Sequence, residues 1–225
     1  LPLTLFPYTT LFRSNVFSDD DFYKFEERVL KRLNTDKTTF SVEPKFDGIG
    51  ISLTYENGKL TKAVTRGDGE TGEVVTDNIK TIVKVPHVIE HSSPKTIEIR
   101  GEVFFRLDDF SNINSKLEAD NLKTFVSPRN AAAGTLRNLD IEIVKQRPLD
   151  IFFYGIGGHS DDAIYKSYEE FVNFLKKNNF PVCDLISFGN AEHVVGSVSK
   201  ILSSREDLDY EIDGAVVKVN DFLHQ

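Results

Sequence analysis

Residues 43–65 read EPKFDGIGISLTYENGKLTKAVT, and this stretch predicts the centre of the fold. Within it, two runs rich in β-branched and aromatic residues, 49–55 and 59–65, flank the tripeptide Glu56-Asn57-Gly58. An Asn-Gly pair readily adopts the positive φ angles of a tight hairpin turn. The two runs are therefore predicted to form an antiparallel pair of strands.

Helical and strand patterns alternate along the rest of the chain. Hairpin signals outnumber strand-helix-strand units, so the predicted fold class is α+β, with antiparallel or mixed sheets flanked by helices. Further strands are predicted over 97–105, 150–154 and 212–219. Helices are predicted over 19–34 after an N-cap at Ser18, from an N-cap at Asp108 to Ala119, over 128–136, near 166–178 and near 190–203.

Composition narrows the class of protein. The chain has 225 residues, a formal net charge of -8 and 40% hydrophobic residues, which indicates a folded globular protein and disfavours a general binder of nucleic acid. Cys183 is the single cysteine, so neither an internal disulfide nor a cysteine-rich zinc site can form. No apolar run approaches the roughly 20 residues that span a bilayer. We expect a cytoplasmic protein that does not act at a membrane.

The first run of residues that could carry out chemistry surrounds Lys45, which stands between Glu43 and the turn-forming pair Asp47-Gly48. Lysine becomes nucleophilic when its surroundings favour the neutral amine, and a nearby carboxylate can then take or orient its proton. The structural alternative is a solvated turn lysine leading into the strand 49–55.

Two further runs place charged groups at strand ends. Arg66 precedes Gly67-Asp68-Gly69, where a flexible backbone could approach an anion or a sugar while the guanidinium donates to it; the alternative is a polar turn. Glu102 follows Arg100 within an otherwise apolar strand, which suits hydroxyl or metal binding if the carboxylate faces a cleft. The alternative is a residue that faces solvent.

Basic residues recur later in the chain. Arg129 and Arg137 are eight residues apart, close to two helical turns, so both could lie on one face and bind a phosphate between them. Lys218 lies near the end of the apolar strand 212–219 and would place a cation beside a buried site, and Arg205 stands thirteen residues before it. The histidines show no ligand-like spacing, and no residue is assigned as a metal ligand.

In this order, these runs resemble the adenylation domain of bacterial NAD-dependent DNA ligase, a member of the covalent nucleotidyltransferase superfamily. The strings in 65–72 and 127–137 favour NAD over ATP. The resemblance covers 15–225 and rests on Asn15-Val16-Phe17, 43–78, 125–140, Phe153-Tyr154-Gly155 and 210–219.

The resemblance implies a mechanism. Lys45 would attack the α-phosphorus of NAD, expel nicotinamide mononucleotide and hold AMP until it passes to the 5′-phosphate of nicked DNA, in replication and repair. Magnesium is expected as the cation that neutralises the phosphates. The other implied roles are recognition of the adenine amino group by Glu43, ribose binding by Glu102, nucleotide binding by Arg66, stacking on adenine by Tyr154, contact with the α-phosphate by Lys218, phosphate or DNA contacts by Arg129, Arg137 and Arg205, and acidic support by Asp47 and Asp213.

The same comparison predicts the domain organisation. Residues 1–14 look foreign to the rest, and residues 15–225 form the adenylation domain. The family's N-terminal domain for nicotinamide mononucleotide, its OB fold, zinc finger, helix-hairpin-helix repeats and BRCT domain have no counterpart in this sequence. We therefore expect a monomer that binds nicked DNA weakly. Two alternatives stay open: a fragment that binds adenylate without turnover, and an ATP-dependent relative such as an RNA ligase or a capping enzyme.

Overall fold

A computed structural model of the chain describes residues 18–66, 72–91, 94–160 and 165–225, together with the backbone of two short strands at 3–5 and 14–16. These residues form two β-sheets with helices packed on their outer faces. The strands are β1 (Leu3–Leu5), β2 (Ser14–Val16), β3 (Phe40–Phe46), β4 (Ile49–Glu56), β5 (Lys59–Thr65), β6 (Thr96–Phe104), β7 (Asp150–His159), β8 (Ser187–Gly189) and β9 (Ile212–Val219). The helices are α1 (Asp19–Leu33), α2 (Thr76–Ile79), α3 (Leu107–Ala119), α4 (Pro128–Leu136), α5 (Ile141–Lys145), α6 (Tyr168–Lys177) and α7 (Ala191–Ser203). The predicted α+β class is confirmed.

The first sheet has the strand order β2-β1-β9-β3-β8. Its centre is the antiparallel pair β3 and β9, in which Glu43 lies opposite Val216 and Ser41 lies opposite Lys218. The sheet is mixed because β1 runs parallel to β9. β1 falls within residues 1–14, most of which lie outside the described residues, and the prediction that this segment is foreign stays a prediction.

The second sheet is antiparallel throughout, with the order β5-β4-β6-β7. The predicted hairpin is confirmed: β4 and β5 pair directly, and the turn between them has φ angles of 48° at Asn57 and 75° at Gly58. The predicted turn at Gly67-Asp68-Gly69, which follows β5, lies outside the described residues.

Helix positions follow local sequence signals closely. α1 begins after Ser18, whose side chain accepts from the backbone N–H of Asp21, and its apolar face packs on the outer side of the first sheet. α7 covers the same sheet, whereas α2 to α6 pack with the second sheet in a separate core. None of the helices in the described ranges has the length and apolar character that a membrane span needs.

An aromatic cluster joins the two sheets. Phe46 at the end of β3 packs against Phe152 with ring centroids 5.1 Å apart, and Phe104 lies 5.1 Å from the same ring. Tyr210, just before β9, is within 5.8 Å of each of these three rings. This cluster packs side chains from both sheets together.

Two sequence predictions and one alternative need correction. Asp108 does not cap α3; the N-cap is Arg106, whose side chain makes no capping bond, and Asp108 stands in the acidic first turn. The strand predicted over 150–154 continues to His159 because its outer half pairs with β6 as far as Ile97. The alternative of a turn lysine does not hold for Lys45, since the segment before Asp47 is strand β3, which pairs with β9 across the first sheet.

Candidate active site

The predicted nucleophile lies on the face of the first sheet that turns toward the second sheet. Side chains alternate along a strand, so Ser41, Glu43 and Lys45 of β3 share that face. Lys45 is partly exposed, and its Nζ donates to Oδ2 of Asp213 at 2.8 Å. Gly214 lies opposite Lys45 with a φ of 147°, so no partner side chain covers the lysine from β9.

Behind Lys45 lies an ion pair that is almost completely buried. Lys218 is in salt-bridge contact with Oε1 of Glu43, and its Nζ also donates to the carbonyl oxygen of Tyr154 at 3.0 Å. The same ammonium lies 5.5 Å from the centre of the Tyr154 ring and 4.2 Å from that of the Tyr168 ring. An ammonium has three N–H donors, and this one is surrounded by Glu43, the Tyr154 carbonyl and the face of the Tyr168 ring.

The second sheet supplies the opposite wall of the cleft. The Tyr154 hydroxyl donates to Oε2 of Glu102 at 3.0 Å. Gly50 lies opposite Glu102 on β4, and its carbonyl accepts from the backbone N–H of Arg66 at 2.9 Å. A Cβ added at Gly50 would stand 3.5 Å from the Cβ of Arg66 and 3.6 Å from Oε2 of Glu102, so the two side chains flank this glycine. The carboxylate therefore faces the cleft, and not open solvent.

Desolvation raises the pKa of Glu102 to about 7, against the opposing influence of the Tyr154 hydrogen bond and of Arg129 and Arg66. These arginines act at a distance and not by direct contact. The side chain is thus able to exist in both protonation states near neutral pH. A carboxyl group of this kind can accept from or donate to a sugar hydroxyl.

Asp47 and Arg129 close the site at the Lys45 end. Arg129 donates to Oδ1 of Asp47 at 2.9 Å, and this hydrogen bond raises the pKa of the guanidinium. Arg129 stands in the first turn of α4, which begins at Pro128 after the capping side chain of Ser127. The start of α4 thus places an arginine next to Asp47 of the Lys45 motif.

Arg137 and Arg205 lie outside this cluster of contacts. Arg137 ends α4, where its Nε donates to the carbonyl of Ala133 at 3.2 Å and lies 3.6 Å from a carboxylate oxygen of Glu73. Arg205 is an exposed residue of the short 3₁₀ helix Arg205–Asp207, and its charge acts on Glu211. Arg129 in α4 and Arg137 directly after it have different carboxylate partners. A phosphate bound between the two arginines stays a prediction.

One residue that touches the site was missed by the sequence analysis. Tyr168 is fully buried, and its hydroxyl lies 2.5 Å from Oε2 of Glu43 and 2.7 Å from the carbonyl oxygen of Tyr154. The available signal was a tyrosine at the start of an apolar helical face, which continues with Phe171 and Leu175. Its partners lie far away in sequence, so the signal did not say where the hydroxyl would point.

The sequence matches the family described as NAD-dependent DNA ligase adenylation domain over residues 8–225. The chain belongs to this family. Curated relatives named DNA ligase include those of Desulforapulum autotrophicum, 42% identical over 94% of this chain, Malacoplasma penetrans, 42% identical over 94%, and Rickettsia prowazekii, 40% identical over 94%. The chain spans about a third of the length of these relatives, from 30 to 32%.

Proposed function

We propose that this chain is the adenylation module of an NAD-dependent DNA ligase and that Lys45 is its nucleophile. The observation that carries the proposal is the placement of Lys45: its amine stands in the cleft between the two sheets, bonded to Asp213 at 2.8 Å, with Glu43 and Lys218 behind it and Glu102 on the facing wall. Such a site offers a nucleophile, a proton acceptor and cations around one cleft.

The proposed step is attack of the neutral Lys45 amine on the α-phosphorus of NAD. A bond forms between Nζ and phosphorus, and the bond from phosphorus to the oxygen of nicotinamide mononucleotide breaks. Asp213 accepts a proton from the amine, because it is the carboxylate in direct contact with Nζ. The product is AMP bound to Lys45, and nicotinamide mononucleotide leaves with the electron pair of the broken bond.

Charge develops on the phosphoryl oxygens during this step, and fixed cations stabilise it without reorganising. Lys218 is the proposed contact of the α-phosphate because its ammonium, held by Glu43, lies on the same face of the first sheet as Lys45. Arg129 supplies a second cation at the start of α4, and Arg66 a third beside Gly50. The nucleoside is proposed to lie between Glu43, Glu102 and the Tyr154 ring.

Magnesium is proposed as an ion that arrives with the phosphates. Among the described residues, no cluster of three or more His, Cys, Asp or Glu side chains forms a ready-made metal site. Four carboxylates near Lys45 nonetheless lie close enough to influence one another electrostatically. In nucleotide sites Mg²⁺ is commonly bound by one or two carboxylates together with phosphate oxygens. The ion would neutralise phosphate charge. The four carboxylates are Asp47, Glu102, Glu211 and Asp213.

Nicked duplex DNA is the proposed acceptor of the adenylyl group, through its 5′-phosphate. Arg137 and Arg205 are exposed and can contact its backbone. With a net charge of -8, we expect this chain alone to bind nicked DNA with a Kd above about 1 µM at physiological salt. A tighter complex that resists salt would contradict this expectation.

The test is intact-mass spectrometry after incubation with magnesium and either NAD or ATP, with Lys45→Ala as the control. A gain of one adenylyl group from NAD alone, absent in the control, is the expected result. A gain that persists in Lys45→Ala would refute the assigned nucleophile, and a gain from ATP alone would favour the ATP-dependent alternative. AMP binding by calorimetry without any mass gain would support an adenylate-binding chain without turnover.

A further inference from the structure

Tyr168 contacts the buried ion pair without facing the cleft itself. It has no exposed surface, its hydroxyl is 2.5 Å from Oε2 of Glu43, and the ammonium of Lys218 lies 4.2 Å from its ring centre. The two oxygens of Glu43 therefore have different partners: Oε1 meets the Lys218 ammonium and Oε2 meets the Tyr168 hydroxyl. Together these two contacts fix the plane of the carboxylate.

The backbone holds Tyr168 in place relative to Lys218. The N–H of Tyr168 donates to the carbonyl of Asn220 at 2.8 Å, and Ser167 forms a β-bridge with Asp221. The start of α6 is thus bonded to Asn220 and Asp221, the two residues that directly follow β9 and lie two and three positions after Lys218. These backbone contacts bring the Tyr168 ring and the Lys218 ammonium together from neighbouring positions, with the ammonium 4.2 Å from the ring centre.

The hydroxyl is the neutral one of the two contacts that orient Glu43. A carboxylate with only a cation as partner can rotate about its last torsion and still keep that cation, because the ammonium accepts many approach directions. The hydroxyl at Oε2 removes this freedom. A fixed carboxylate can accept from a 6-amino group of a purine and repels a 6-oxo group at the same position.

We propose that Tyr168 is a positioning residue which, by orienting Glu43, makes this site prefer a 6-amino purine nucleotide over a 6-oxo purine nucleotide. The proposal rests on the proposed function, in which Glu43 meets the adenine amino group. It concerns specificity, and it does not require that the chain complete the adenylyl transfer.

The experiment compares the affinities for AMP and IMP by isothermal titration calorimetry in the full 225-residue chain. The wild-type chain is expected to bind AMP at least about 10-fold more tightly than IMP, which is the effect of one hydrogen bond to a charged group. Tyr168→Phe, which removes the hydroxyl alone, is expected to reduce this ratio to less than about 3-fold, mainly through weaker binding of AMP.

A matched control is Tyr55→Phe. Tyr55 is equally buried and its hydroxyl donates to the carbonyl of Pro86 at 2.6 Å, outside the ion-pair cluster. It is expected to lower the melting temperature as Tyr168→Phe does and to leave the AMP/IMP ratio unchanged. All titrations are made at a temperature at which circular dichroism shows each variant folded, so a general loss of stability cannot imitate the result.

The variant Glu43→Gln distinguishes the role of Tyr168 from the role of Glu43 in reading the purine. If Glu43→Gln abolishes the AMP/IMP preference while Tyr168→Phe keeps it in full, the role of Tyr168 is refuted and the proposed function stands. If Glu43→Gln leaves the preference intact, Glu43 does not read the purine and the role of Tyr168 fails with it. A wild-type chain that binds neither nucleotide would overturn the proposed function itself.

Discussion

Two buried carboxylates of this molecule are held by cations in different ways. Asp150, at the start of β7, is 5% exposed and lies 2.7 Å from both Lys84 and Arg106, whose side chains are 53% and 30% exposed. Glu43 is 2% exposed, and Lys218, its cationic partner, is itself only 5% exposed. The cations of Asp150 keep contact with water, whereas the cation of Glu43 has lost it.

This difference in hydration predicts that the two ion-pair clusters contribute differently to stability. A cation that stays partly hydrated loses little solvation, so the Asp150 cluster can connect the start of β7, the N-cap of α3 and the loop after α2 at small cost. Burying both members of a pair costs more than it returns in stability in many proteins. The proposed roles of Glu43 and Lys218 in nucleotide binding would account for such a pair, and variants of the two clusters should separate binding from folding.

The largest effect is expected from Lys218→Met. Removing the ammonium leaves the Glu43 carboxylate buried without its cation, which should lower the free energy of unfolding by about 3–5 kcal/mol. Adenylyl transfer to Lys45 should fall by about 10²–10³-fold, because a fixed charge near the phosphate is lost. Urea denaturation and the rate of mass gain with NAD measure the two effects.

A double variant provides its control. Glu43→Gln combined with Lys218→Met removes both charges, and it should regain most of the lost stability without regaining nucleotide affinity. If stability stays as low as in the single variant, the lysine supports the fold by packing and the separation proposed here fails.

The next largest effect is expected from Asp150→Asn. The carboxylate is lost while the shape is kept, and Lys84 and Arg106 can turn to water, so the free energy of unfolding should fall by about 2 kcal/mol. AMP affinity, measured by calorimetry on the folded variant, should not change. A parallel loss of AMP affinity would show that the two clusters are not independent.

Glu102 extends the comparison, because it is a desolvated carboxylate that no cation of the described residues contacts. Its pKa in the fold is about 7, above the ordinary value of 4.5, so the folded chain holds a proton that the unfolded chain releases between these pH values. Stability contributed by the protonated form is full below pH 4.5 and declines as the pH rises to 7. Glu102→Gln should therefore raise the free energy of unfolding by about 3 kcal/mol at pH 8 and leave it unchanged at pH 4.

Denaturation at several pH values checks this prediction. An equal gain of stability at pH 4 and pH 8 would attribute it to packing and not to the proton.

The smallest effect is expected from Lys84→Ala. The lysine is 53% exposed, and Asp150 keeps Arg106, so the free energy of unfolding should change by less than about 1 kcal/mol. Arg106→Ala should cost more in the same urea titration, because Arg106 also pairs with Asp209. Equal losses in the free energy of unfolding for Lys84→Ala and Arg106→Ala would contradict the prediction that the more exposed cation contributes less.

Local signals account for what the sequence predicted well. The cap at Ser18, the Asn57-Gly58 turn and the Pro128 start of α4 each act within a few residues, and the structure has all three. β3 lacked such a signal, because the pairing that makes it a strand comes from β9, about 170 residues later.

The candidate site shows the same limit. The motif around Lys45 could be recognised because its residues are adjacent, but its contact with Asp213 joins residues 168 positions apart. The bond from Tyr168 to Glu43 spans 125 positions. No local pattern specifies which hydroxyl reaches which carboxylate, so the shape of the ion-pair cluster required the fold.

The glycine of the nucleophile motif has a consequence for the whole cleft. A Cβ at Gly48 would stand 2.3 Å from the carbonyl oxygen of Val103 on β6, so here backbone meets backbone. Gly48 directly precedes β4, whose Ile49 pairs with Val103, so this close approach of backbone to backbone lies within the second sheet, three residues after Lys45. Any side chain at position 48 would push the start of β4 away from β6, and the segment that links Lys45 to the opposite wall of the cleft would have to shift with it.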